Sequence, residues 1–213
     1  MIIDQFKEAI KNNKPLFIKS HMDYDFVWED VIDLINRAYN NPVGEELTEG
    51  HHPTDLLYNP DFNRSTSLKV PAGGVTFHAE DILNPYSTYN LTSSKYDGVK
   101  KMKYHLEQLD PDCTVHAKFS INMSTASPKL YPHRDTHHVL LTQVIGSATY
   151  VIHEPGESDP YRSWIDVGDR PFTEYHLEKN DILFMPYGTI HSIDNKTIRV
   201  ACIFDIIRKH ELQ

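Results

Sequence analysis

The sequence predicts an α+β fold that is mainly β: a double-stranded β-helix, or jelly roll, with N-terminal helices packed on one sheet. Three observations carry this. Helical spacing of apolar residues is concentrated in residues 1–110; beyond Pro111 the apolar period falls to two; and turn residues cut the β region into short runs. Helices that precede a run of strands fit α+β packing, and a jelly roll closes such strands without a long unpaired edge. The whole chain, 1–213, is expected to form one domain, with a mixed helical segment over 1–110 and a barrel core over 111–213.

In chain order, residues 3–12 pattern as a short helix and Pro15–Lys19 as a strand. A longer helix is expected from Tyr24 to Tyr39, with Val27, Val31, Leu34, Ile35 and Ala38 at helical spacing. Residues 40–63 are rich in Asn, Pro, Gly and acids and read as loop. Residues 94–109, SKYDGVKKMKYHLEQL, read as a helix that stops before Asp110-Pro111. The expected strands are Thr114–Met123, Tyr131–Ile145, Ala148–His153, Thr173–Leu177, Asp181–Met185, Thr189–Ile193 and Ile198–Ile207. Residues 154–172, EPGESDPYRSWIDVGDRPF, are too polar and too rich in Pro and Gly for a strand and form an insertion within the barrel.

Composition excludes several function classes. At 39% hydrophobic and 24% charged the chain is globular, and no run approaches the ~18 apolar residues of a membrane span. A net charge of −9 without clustered Lys and Arg argues against a nucleic-acid footprint. The N-terminus lacks the basic and apolar regions of a secretory signal, and Cys113 and Cys202 in strand-like runs read as buried free thiols, so a cytoplasmic setting is expected. Thirteen histidines are a bias that metal binding could explain, although histidine is also a common polar filler.

The chemistry centres on Pro132-His133-Arg134-Asp135. Residues i and i+2 of a strand share a face, so His133 and Asp135 can reach one ion. Two imidazoles and one carboxylate on one side of a metal leave positions open, the donor set of non-haem Fe(II) oxygenases. His-x-Asp alone is weak, since a chain this rich in both residues yields about one copy by chance. A second copy, His21-Met22-Asp23, precedes a helix, where Asp23 is more simply an N-cap. Context favours the first. It opens the expected strand His133, Asp135, His137, Val139, Leu141, Gln143, and the segment 177–188 then leads through a turn at Pro186–Gly188 into His191. The metal ligands are therefore expected to be His133, Asp135 and His191.

Arg199 follows His191 across Asp194–Lys196. A three-residue hairpin loop would pair Ile193 with Thr197 and set Arg199 opposite His191, on the pocket face. A two-residue loop would pair Ser192 with Arg199 and turn it away. Inside the pocket, its guanidinium suits bidentate capture of a carboxylate.

The stretch HRDTHHVLLTQVIGSATYVI, together with YHLEKNDILFMPYGTIH, resembles the Fe(II)/2-oxoglutarate-dependent oxygenases, in the strand pattern of the JmjC and ribosomal-oxygenase group of the cupin-like superfamily. The resemblance spans roughly Val115 to Ile207. It implies Fe(II) bound by His133, Asp135 and His191, and 2-oxoglutarate as cosubstrate. It also implies hydroxylation of a C–H bond in a protein side chain or small metabolite, with release of succinate and CO2. In the JmjC-like branch a basic residue two positions after the strand's Gly holds the distal carboxylate of 2-oxoglutarate. Ala148 stands there in this chain. Arg199 in IRVACIFDI instead resembles the anchor of prolyl and aspartyl hydroxylases, which makes it the expected cofactor-binding residue.

Asn122 is the second candidate for contacting 2-oxoglutarate, its plainer role being a strand-end Asn that closes a turn. Lys118 shares its parity and reads as a solvated outer-face lysine, with a carboxylate anchor as the alternative. His137 has inward parity and His138 outward, both in structural roles. Tyr161, Arg162 and Trp164 sit in the insertion, where loops over a barrel mouth bind substrate; His51-His52 reads as exposed. Two other function classes use the same residues: a cupin metalloenzyme that ignores 2-oxoglutarate, and a non-catalytic barrel that holds a small ligand. Absorbance of the Fe(II) protein with 2-oxoglutarate separates the first, and metal content separates the second.

Overall fold

The computed structural model describes residues 2–20, 22, 26–32, 55–58, 65–68, 89–92, 97–122, 130–156, 165–194 and 197–208. Its elements are helix α1 (Ile2–Asn12), strands β1 (Leu16–Ile18), β2 (Asp55–Tyr58), β3 (Ser65–Leu68) and β4 (Tyr89–Thr92), helix α2 (Asp97–Glu107), then β5 (Cys113–Asn122), β6 (Leu130–Arg134), β7 (His138–Ile145), β8 (Ala148–His153), β9 (Phe172–Leu177), β10 (Ile182–Met185), β11 (Ile190–Asp194) and β12 (Arg199–Arg208). Strands β1-β10-β7-β12-β5-β4 form one antiparallel sheet and β6-β11-β8-β9 a second, with β2 and β3 paired apart. From β6 onward the chain passes back and forth between the two larger sheets, the winding of a double-stranded β-helix.

Alternation along the strands divides the core in two. Val200, Cys202, Phe204 and Ile206 of β12 face outward with Val115, Ala117 and Phe119 of β5, and the apolar stripes of both helices cover them. Helix α1 contributes Phe6 and Ala9, with the Phe6 ring stacked on Phe184 at 5.0 Å. Helix α2 contributes Val99, Met102 and Leu106, at helical spacing. The residues between belong to the barrel interior, where Val139, Leu141, Leu183 and Met185 meet Ala148, Tyr150, Leu177 and Ile193 from the smaller sheet.

Several expectations need correction. The strand expected over Tyr131–Ile145 is two strands in different sheets, broken at residues 135–137. Period-two alternation continues through a bend that switches sheets, so the pattern could not reveal the break. Within the loop expected over 40–63 lies strand β2, which pairs with β3. The helix expected from Tyr24 begins later, since Phe26 and Val27 are not helical and residues 28–32 are. Val27 N–H instead donates to the Asp30 carboxylate at 2.9 Å, a side-chain cap, and Val27 is exposed. Phe172, assigned to the insertion, opens β9. Asp23, His51, His52, Tyr161, Arg162 and Trp164 lie outside the described residues.

Asp181 ties the N-terminal region to the barrel. It is 1% exposed, and its carboxylate accepts from Ser20 N–H at 2.7 Å and Glu178 N–H at 2.9 Å. Asp181→Ala leaves both donors without their acceptor. We expect a loss of about 2–4 kcal/mol in urea unfolding, from two charge-assisted bonds at a buried position. A loss below the error of the midpoint would refute the tie.

Candidate metal centre

Three side chains converge at one end of the barrel interior. His133 lies on β6 and His191 directly opposite it on β11, so the two imidazoles share a face, their ring centroids 4.3 Å apart. Asp135 follows in the bend between the sheets, its Oδ2 3.8 Å from His191 Nε2. One donor atom from each of the three lies within 4.8 Å of the others, the only such His/Cys/Asp/Glu grouping among the described residues. The set fits a first-row divalent ion of the borderline kind that imidazole and carboxylate share.

Local geometry prepares each donor. The turn after β10 has Gly188 at φ +76, where a side chain would be strained, and returns the chain toward β6. Its N–H donates to the Asp135 carbonyl at 3.2 Å, tying the distal turn to the bend. His191 Nδ1 lies 3.1 Å from Thr189 O. A carbonyl only accepts, so Nδ1 carries the proton and Nε2 offers its lone pair toward Asp135 and His133.

Burial and the neighbouring His133 lower the His191 pKa from 6.5 to about 4, against the opposing pull of Asp135. For Asp135, burial pushes upward, but His191 and His133 outweigh it and hold the carboxyl below its usual range. Both groups therefore present metal-binding forms at neutral pH. The unfolded chain binds a proton at this histidine below about pH 6.5 that the folded chain refuses until about pH 4. Metal-free protein should thus lose up to about 3 kcal/mol as pH falls through that window. Urea titrations between pH 7 and 4 measure it, and His191→Gln should flatten the slope.

Deeper in the barrel lies Arg199. The hairpin expected to bring it opposite His191 does not form, since β11 pairs with β6 and β8 while β12 pairs with β5 and β7. Arg199 stands opposite Asn122 in the register, on the inward face with Ala201, Ile203 and Asp205. The side chain of Asn122 is outside the described residues. Facing sheets share one interior, so Arg199 still points into the interior that His191 enters from the other sheet. It is 2% exposed, and its Nε and Nη1 find no hydrogen-bond partner among the described residues. The Tyr150 hydroxyl, on β8 two residues beyond Ala148, is also buried and lies beside the Arg199 guanidinium. Burial raises its pKa, with the nearby Arg199 guanidinium acting in the opposite direction.

One more residue departs from expectation. Lys118 is not an outer-face lysine: its Nζ meets Asp205 Oδ2 at 2.5 Å within the barrel, and Asp205 Oδ1 lies 3.3 Å from His137 Nε2. Sequence reading missed Tyr150 and Asp205. Both carried a signal, because Asp205 has the parity of Arg199 in an otherwise apolar run and Tyr150 has the parity of Ala148.

No curated protein sequence matches the chain. Among solved structures, the Escherichia coli ribosomal oxygenase YcfD in complex with cobalt and succinic acid superposes with a TM-score of 0.56 at 14% identity, over 97% of this chain and 51% of YcfD. Another crystal structure of YcfD gives 0.54 at 15% identity, over 92% and 48%. At these identities the likeness is one of fold, and this chain spans about half the length of YcfD. The sequence model of the JmjC domain matches residues 99–212, more than half of the chain and inclusive of all three clustered side chains. With a double-stranded β-helix, that donor set and this match, the chain belongs to the JmjC domain family.

Proposed function

We propose that the protein is an Fe(II)- and 2-oxoglutarate-dependent dioxygenase that hydroxylates a C–H bond of a protein side chain or small metabolite, releasing succinate and CO2. His133, Asp135 and His191 hold the metal. Arg199, with the Tyr150 hydroxyl and with Asn122 beside it in the register, receives the distal carboxylate of 2-oxoglutarate. Fe(II), when bound, supplies activation of dioxygen coupled to oxidative decarboxylation of the 2-oxo acid.

The observation that carries this reading is a buried guanidinium without an anion among the described residues, in the same interior as a two-His, one-carboxylate donor set. An unpaired buried charge is costly, typically by several kcal/mol, and a carboxylate is its natural complement. Formal charge supports a dicarboxylate. Lys118 and Asp205 neutralise each other, which leaves Asp135 and Arg199. A divalent cation and a dianion then add no net charge to the interior, whereas a monocarboxylate would leave one positive charge in excess. The apolar wall of Leu141, Leu183, Met185 and Ile203 keeps water from the reacting region.

Anaerobic Fe(II) protein mixed with 2-oxoglutarate should develop a metal-to-ligand charge-transfer band in the visible, and oxygen should then yield succinate. Metal uptake without the band would favour a cupin metalloenzyme that uses Arg199 for another acid. Absence of metal uptake would favour a non-catalytic barrel.

A further inference from the structure

The interior cluster Lys118–Asp205–His137 is not used by the proposed chemistry. Lys118 belongs to β5 and Asp205 to β12, neighbours in the larger sheet. His137 belongs to the bend at residues 135–137, which carries the chain from β6 to β7 and holds Asp135. The side chains of Asp205 and His137 are each 13% exposed. A carboxylate only accepts, so His137 Nε2 carries the hydrogen in the 3.3 Å contact with Asp205 Oδ1. Burial would raise the Asp205 pKa, but Lys118 and then His137 more than offset it and hold this carboxyl well below its usual range. Asp205 is therefore a charged acceptor fixed on the rigid sheet.

Asp135 has no strand of its own to orient it. Its bend is tied on one side by Gly188 N–H to the Asp135 carbonyl, and on the other by His137 to Asp205. A ligand carried on a bend binds tightly only if its supports hold it in place beforehand. We propose that Asp205, itself held by Lys118, is a positioning residue for the metal, fixing through His137 the bend that presents Asp135 to His133 and His191. The proposal rests on those three residues being the metal ligands.

The test is Co(II) titration of the metal-free full chain, followed by visible absorbance well below the unfolding midpoint of each variant. Asp205→Ala and His137→Leu should each weaken Co(II) binding by about 10–100-fold, the range for lost supports behind a metal ligand. The double variant should lose no more than the weaker-binding single variant, because both remove the same tie. Asp205→Asn keeps both contacts, its amide oxygen accepting from Lys118 Nζ and its amide N–H donating to His137 Nε2 once that ring carries its hydrogen on Nδ1 instead, and should bind nearly as the unaltered protein does. Unchanged affinity in the single variants, or losses that multiply in the double variant, would overturn the proposal. So would Asp205→Asn losing as much as Asp205→Ala, which would assign the effect to charge alone. If Asp205→Ala does not fold, His137→Leu compared with Asp205→Asn decides in the same way. Failure of the unaltered chain to take up Co(II) would instead sink the ligand assignment itself.

Discussion

Replacing Arg199 by Met should give two effects of opposite sign. The metal-free protein should become more stable, because a buried guanidinium without an anion among the described residues gives way to an apolar side chain of similar length. At the same time the apparent KM for 2-oxoglutarate should rise by an order of magnitude or more. Loss of a buried charge-assisted pair costs about 2–5 kcal/mol, and a share of that shows in the KM. Thermal unfolding with and without 2-oxoglutarate, alongside succinate formation at graded concentrations, reads both effects. Ligand-dependent stabilisation should shrink as the intrinsic midpoint rises. An unchanged KM would move the anchor elsewhere and leave the buried cation to be explained by another anion.

The second large effect concerns the ligands. His133→Ala or Asp135→Ala should abolish conversion of 2-oxoglutarate to succinate. Each removes one of only three clustered donors among the described residues. Loss of a support behind a ligand already weakens metal binding by about 10–100-fold, and loss of the ligand itself should exceed that. Metal content after dialysis gives a readout independent of turnover. Retained turnover in both variants would end the assignment of this centre. Asp135→Ala should also lower the His191 pKa further, since the carboxylate is a group that raises it. The window in which His191 destabilises the metal-free fold should then extend to lower pH.

The contrast between these residues explains how far the site could be read from sequence. His133 and His191 were legible because strand parity and the turn at Pro186–Gly188 are local properties, and both survive in the structure. Asp135 was found through the same parity, yet for an incomplete reason. It lies in a bend between sheets, not within a strand, and its placement comes from Gly188 and its neighbours. Arg199 was expected inside through a hairpin that is absent; it is inside because β12 lies in the facing sheet. Lys118 was placed outside because a lone lysine is most often solvated, and its partner Asp205 is 87 residues away in the chain.

The sequence by itself determined the β-rich class, the period change after Pro111, the two helices whose apolar stripes cover a sheet, and the order of candidate ligands along the chain. These depend on spacing within a few residues, which backbone geometry converts directly into faces. Only the tertiary structure decided which strands face one another. That pairing put Tyr150 across from Arg199, closed Lys118 and His137 onto Asp205, and set His133 against His191. Such contacts join residues far apart in the chain, and period-two alternation is the same whether a strand continues, turns back or crosses to the other sheet.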